Sequence, residues 1–161
     1  MSPRAAARLE RLGFGEVYDY VGSKMDWMGA GLPWEGALAD GPTLGSLADP
    51  KVATCGLDDT VGAVRAPAGG PPFCLVIDER RVVLGLVRAE ALDLDAARPV
   101  VEVMQEGPST YRPHVPAAEA AERLKRHPQA YFVVTTLDGR LVGVTDAATV
   151  RAAAPPPTGR G

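Results

Sequence analysis

With 161 residues, of which 46% are hydrophobic and 23% charged, the chain is long enough to bury a sizeable core and has the balance of an ordinary globular protein. Its formal charge of -3 comes from scattered residues, which argues against a nucleic-acid-binding face, and no apolar run is long enough to span a bilayer. Cys55 and Cys74 stand singly in apolar surroundings without metal-ligand spacing, and read as buried strand thiols of a cytoplasmic protein.

In chain order, Ser2 is suited to cap a helix with Pro3 in its first turn. Ala5, Ala6, Leu9 and Leu12 give that helix an apolar face and Gly13 stops it. Residues 16–21 (EVYDYV) predict a strand, and 24–29 a short helix bearing Met25, Trp27 and Met28. Tyr18, Tyr20, Trp27 and Trp34 are then either a small local core or a contact surface. Residues 37–50, rich in glycine, proline and small polar side chains, read as a linker. A short strand is expected at 52–55, with Asp58 or Asp59 capping a helix over 60–66 that Pro67 breaks early. FCLVI at 73–77 is the next strand, and Met104, in the connecting segment 97–106, reads as core.

Residues 110–150 state one complete unit. Pro116 opens a helix with Ala117, Ala120, Ala121 and Leu124 on its apolar face and with Glu119–Arg123 and Glu122–Arg126 as exposed pairs; His127-Pro128 ends it. YFVVTT at 131–136 is a strand, Asp138-Gly139 a hairpin turn, and 140–144 the return strand; Asp146 or Thr145 caps a last helix to about Arg151. The upstream strands repeat this unit: residues 73–78 match 131–136 and 85–92 match 143–150 at one displacement of 58, whereas 54–60 match 110–116 at 56. A two-residue length change therefore falls in the helix between.

On LDDTVGAV and FCLVIDERRVVLGLVRAEAL in the first copy, and AAERLKRHPQAYFVVTTLDGRLVGVTDAATV in the second, the chain resembles a tandem pair of CBS domains. That implies an α/β (α+β) fold of two βαββα repeats packed as a pair, behind an N-terminal helix-strand-helix leader. Repeat one is assigned to 51–96, repeat two to 97–152 and a disordered tail to 153–161. The series SPRAAARLERLGFGEVYDYVGSKMDWMGAGLPWEG is similar to the C-terminal third of a rhodanese domain, so residues 1–36 read as a fragment of that fold. The cysteine loop that such a domain carries ahead of this helix is not in the sequence, so sulfur transfer by these residues alone is not expected.

The resemblance implies two clefts able to hold AMP, ADP, ATP or S-adenosylmethionine. The family's ligand signature, Gly-x-x-Thr/Ser-x-x-Asp, is altered twice. After Gly85, Arg88 stands at the hydroxyl position and Ala91 replaces the carboxylate; after Gly143, Asp146 stands at the hydroxyl position and Thr149 at the carboxylate. A one-residue slip puts Thr145 there instead. Arg88 is suited either to grip a phosphate or to pair with Glu79 or Glu90, Asp146 to cap its helix, and His114 to lie on the surface. Thr54 and Thr110, at matching positions before the first helices, complete the candidate cleft. No nucleophile with a base, paired carboxylates or phosphate loop appears. The expectation is a non-catalytic regulatory protein, a homodimer through its CBS helices with a possible protein partner at the leader; the alternatives are a sulfurtransferase component and a dimerisation module with empty clefts.

Overall fold

A computed structural model describes residues 3–18, 27, 28, 32, 41–64, 70–93 and 95–154. Ser2, Tyr20, Met25, Trp34, the break at 65–69 and the tail from 155 lie outside the described residues, as do 19–21 and most of 24–29.

The internal repeat is a repeat of strand register. β1 (Thr54–Cys55) runs parallel to β2 (Phe73–Ile77); β2 is antiparallel to β3 (Val83–Arg88), and β4 (Gln105–Glu106) closes the sheet in the order β1-β2-β3-β4. β5 (Thr110–Tyr111), β6 (Tyr131–Thr135) and β7 (Leu141–Asp146) form a second sheet in that order. Leu75 faces Leu86 in one hairpin and Val133 faces Val144 in the other; the register shifts after Val76 in the first and after Val134 in the second. Each partner has its counterpart at the displacement read from the sequence. The two hairpins meet, Val83 N donating to Gly139 O (3.0 Å) and Leu141 N to Arg81 O (2.8 Å).

Three clusters make the core. Phe73 and Leu75 meet Val133, Leu141 and Val144 between the sheets. Cys74 and Val76 point the other way, to Val64, Val87 and Val100, and Phe132 and Val134 likewise to Leu124 and Val150. Both faces of β2 and β6 are therefore buried, which is why these strands read as unbroken apolar runs.

α1 (Pro3–Arg11) forms and stops at Gly13, whose φ of 93 suits glycine. Residues 16–18 take no strand pairing, so over them the expected strand is not found. The helix expected over 60–66 is a single 3-10 turn, Val61–Ala63, with Val64 already extended. Neither aspartate caps it: the N-cap is Thr60, with no side-chain bond, and Asp59 Oδ2 instead accepts from Gly56 N at 2.7 Å. In the second repeat the helix, α4 (Ala117–Arg126), keeps its length, because Ala117, Ala120 and Leu124 bury one of its faces. Its exposed ion pair joins Glu122 to Lys125 (2.6 Å), not to Arg126.

Residues 41–50 belong to the fold and are not a free linker. α2 (Leu44–Leu47) is closed by a capping box between Thr43 and Ser46, and Leu44 is fully buried against the second repeat. α3 (Val100–Val103) does the same for the first, with Val100 fully buried. The bonds match pairwise: Leu44 N to Val115 O (2.9 Å) with Val100 N to Asp59 O (2.8 Å), and Ala117 N to Pro42 O (2.8 Å) with Val61 N to Arg98 O (2.9 Å). The turn of helix leading into each repeat is thus docked on the other. α5 (Ala147–Ala153) completes the second repeat.

Candidate functional site

Two hollows open where a last strand leads into its final helix, and the exchange of leading segments gives each hollow walls from both repeats. The first, about 480 Å³, is lined by Phe73, Leu86, Arg88, Gln105, Gln129 and Tyr131 among others. The second, about 320 Å³, includes Leu47, Asp49, Tyr131, Thr145, Asp146 and Thr149. They are counterparts: Phe73 and Arg88 stand 58 residues before Tyr131 and Asp146, and Asp49 stands 56 before Gln105.

Arg88 ends β3 opposite Phe73, and its Nε donates to Gln105 Oε1 at 2.8 Å, so the guanidinium is held by an amide rather than by Glu79 or Glu90. The Phe73 ring meets Tyr131 edge-on, centroids 5.6 Å apart, and Tyr131 lines both hollows. Tyr111 OH donates to Gln129 Oε1 (2.9 Å), fixing that amide, while Gln129 Nε2 is buried without a partner. A guanidinium, an unpaired amide donor and an aromatic wall in one hollow suit a flat, anionic ligand.

Asp146 caps α5 as expected, its Oδ1 accepting from Thr149 N (2.8 Å) and its Oδ2 from Thr149 Oγ1 (2.7 Å). Those bonds, the amide first, hold its carboxyl below the ordinary 3.8. A depressed carboxyl contributes stability above its unfolded value and loses it as pH falls through the folded one. Asp146→Asn should keep the cap and remove that acid dependence, whereas Asp146→Ala should cost about 1 kcal/mol at neutral pH; urea titrations at neutral and acid pH read both.

Thr145, Asp146 and Thr149 are brought together, and Arg88 lies in the counterpart hollow. Thr110 is on β5, in a third hollow of about 570 Å³ with Tyr111, Arg112 and Arg123, which shares Ser109 and Gln129 with the Arg88 hollow. Thr54 is exposed on β1 and lines none of the three. The candidate cleft residues are therefore divided among three hollows, with Thr54 outside them. His114 is half-buried rather than on the surface; its Nδ1 lacks a partner, and burial holds the imidazole below 6.5, with Glu119 opposing and Arg112 adding to the effect. Cys55 and Cys74 are both buried free thiols in one cluster, and a thiol–thiol hydrogen bond to Cys55, then burial, raises the Cys74 thiol. Among the described residues no group of three or more His, Cys, Asp or Glu could hold a metal, and no helix is long and apolar enough to cross a membrane.

Residues 100–153 match the family profile described as the CBS domain. This segment is a CBS domain. The two-sheet fold is similar to that of CBS-pair structures. The cystathionine beta-synthase pair domain of a protein from Shewanella oneidensis MR-1 aligns over 94% of this chain and 86% of its own, at 15% identity and a TM-score of 0.61. The cytosolic domain of the Mg2+ channel MgtE, in complex with ATP, aligns over 72% of this chain at 25% identity and a TM-score of 0.61, and this chain spans only 51% of it. CBSX2, a CBS-pair protein from Arabidopsis thaliana, in complex with AMP, aligns over 70% of this chain and 96% of its own at 18% identity and a TM-score of 0.54. No curated protein matches.

Proposed function

We propose that the chain is a non-catalytic CBS-pair regulatory module that takes an adenine nucleotide in the Arg88 hollow and alters the state of a partner when it does. The observation that carries this reading is Arg88, set by Gln105 at 2.8 Å beside the Phe73–Tyr131 pair in a hollow walled by both repeats. The guanidinium meets a phosphate bidentately, and the aromatic wall and Gln129 amide meet the base. Similarity to the MgtE domain with ATP and to CBSX2 with AMP supports this choice of ligand. A regulatory effect further needs the ligand to bind two states unequally. On the same reading the module is a homodimer through its helices, and its leader, where Leu12, Phe14 and Tyr18 are exposed, meets the partner. Sedimentation velocity tests the first and crosslinking from Tyr18 the second.

AMP, ADP or ATP should raise the unfolding temperature by mass action, and Arg88→Ala should weaken that nucleotide at least about tenfold. Failure of every nucleotide to shift unfolding removes the reading.

A further inference from the structure

Cys55 and Cys74 lie on neighbouring strands and on one face of their sheet. β1 runs parallel to β2 with Cys55 opposite Val76, so Cys74, two residues back along β2, projects to the same side. Both join the cluster of Val64, Val87 and Val100, on the face turned away from the second sheet. Their sulfurs meet in a thiol–thiol hydrogen bond, and neither residue lines any of the three hollows.

The surroundings give the two thiols different roles. Cys55 is 8% exposed at the end of a two-residue edge strand, whereas Cys74 is 1% exposed inside the sheet. The bond from Cys74 favours the Cys55 thiolate and holds that thiol below the ordinary 9.0, against burial and the charge of Asp59. Cys55 is therefore the attacking thiol and Cys74 the resolving one beside it.

We propose that Cys55 and Cys74 form a redox-sensitive switch, oxidised by a low-molecular-weight disulfide to a bond that staples β1 to β2. Cys55 attacks one sulfur of the small disulfide, giving a mixed disulfide and releasing the first small thiol. Cys74 then attacks the Cys55 sulfur, closing the Cys55–Cys74 bond and expelling the second small thiol. Two electrons pass to the small disulfide, and the two cysteine protons leave on the released thiols. β1 is short and paired on one side only, so it is free to shift to the geometry the bond requires. The effect follows from where β1 stands. Residues 49–55 lead from the segment docked on the second repeat into the first, and backbone bonds such as Leu75 N to Ala53 O (3.0 Å) hold this passage to β2. Oxidation makes the attachment covalent. It also closes a loop of about 20 residues in the repeat where a single 3-10 turn stands in place of a helix, which restricts the unfolded chain.

The test is equilibration of the reduced full chain with oxidised glutathione, followed by intact mass, peptide mapping and thermal unfolding. The mass should fall by two hydrogens, the digest should hold a peptide pair joined at Cys55 and Cys74, and the unfolding temperature should rise by about 5–10 °C. Exchange of the Leu75 amide should slow at least about tenfold, and dithiothreitol should reverse every change. Cys74→Ala should stop at one glutathione on Cys55 with no such rise, and Cys55→Ala should take up little, its remaining thiol being buried. The proposal is overturned if two free thiols persist, if the unsubstituted chain stops at the mixed disulfide, if the bond joins two chains, or if it forms without raising the unfolding temperature.

Discussion

Gly143→Ala should be among the most damaging single changes in this fold, through the backbone rather than through an emptied core. A Cβ at this position would lie 2.5 Å from Asp49 O, 2.7 Å from Asp49 C and 3.0 Å from Pro50 N. All three are backbone atoms, so no side chain can swing away. β7 and residues 49–50 would have to part, lengthening the reciprocal Asp49–Val144 bonds and drawing α2 from its seat. Overpacking of this kind costs about 1–3 kcal/mol, and the undocking adds to it, so a loss of about 3 kcal/mol or more is expected in denaturant titration. Gly85 is the counterpart, where a Cβ would stand 2.8 Å from Gln105 O and 3.1 Å from Met104 Sδ. Gly41→Ala is the control: its Cβ would meet nothing within 4 Å, and the midpoint should hardly move. Equal midpoints for Gly41→Ala and Gly143→Ala would show that residues 49–50 do not lie against β7 in solution.

The strands were legible because their signals are physical and repeated. β2 and β6 are apolar on both faces, Gly139 takes the positive φ of 78 that its turn needs, and one displacement relates every paired residue of the two hairpins. What failed to show was whatever depends on the exchange between repeats. TLGSL at 43–47 has the composition of a linker, and a four-residue helix has little stability of its own; only docking of Leu44 makes it a fixed element. The helix over 60–66 failed for the opposite reason, since proline follows at once and little apolar face was left to hold it. Of the residues lining the two hollows, Arg88, Thr145, Asp146 and Thr149 could be named from the sequence because they follow the repeated glycine. Asp49, Gln105 and Gln129 were missed because the chain brings them from the other repeat. A clue was present: Asp49 and Gln105 stand 56 apart, the same displacement as Thr54 and Thr110, just ahead of their strands.

Leu44→Ala tests that exchange from the apolar side, and a loss of about 3 kcal/mol is expected. Leu44 is fully buried among Leu124, Phe132, Val134 and Val150, so truncation leaves a cavity that the rigid strand and helix around it cannot close. At about 2–4 °C per kcal/mol for a chain of this size, the unfolding temperature should fall by roughly 10 °C. The loss should begin locally, with the amides of Leu44, Asp49 and Ala117 exchanging faster than those of β2, because their bonds join the docked segment to the second repeat. The two hollows should then separate. Asp49 is carried by the loosened segment, so the Asp146 hollow loses a wall, while Arg88 keeps Gln105, which belongs to β4 and is paired into the first sheet. Nucleotide binding by the surviving folded fraction should therefore be retained. If Leu44→Ala costs less than about 1 kcal/mol, residues 43–50 are a linker rather than a docked part of the fold.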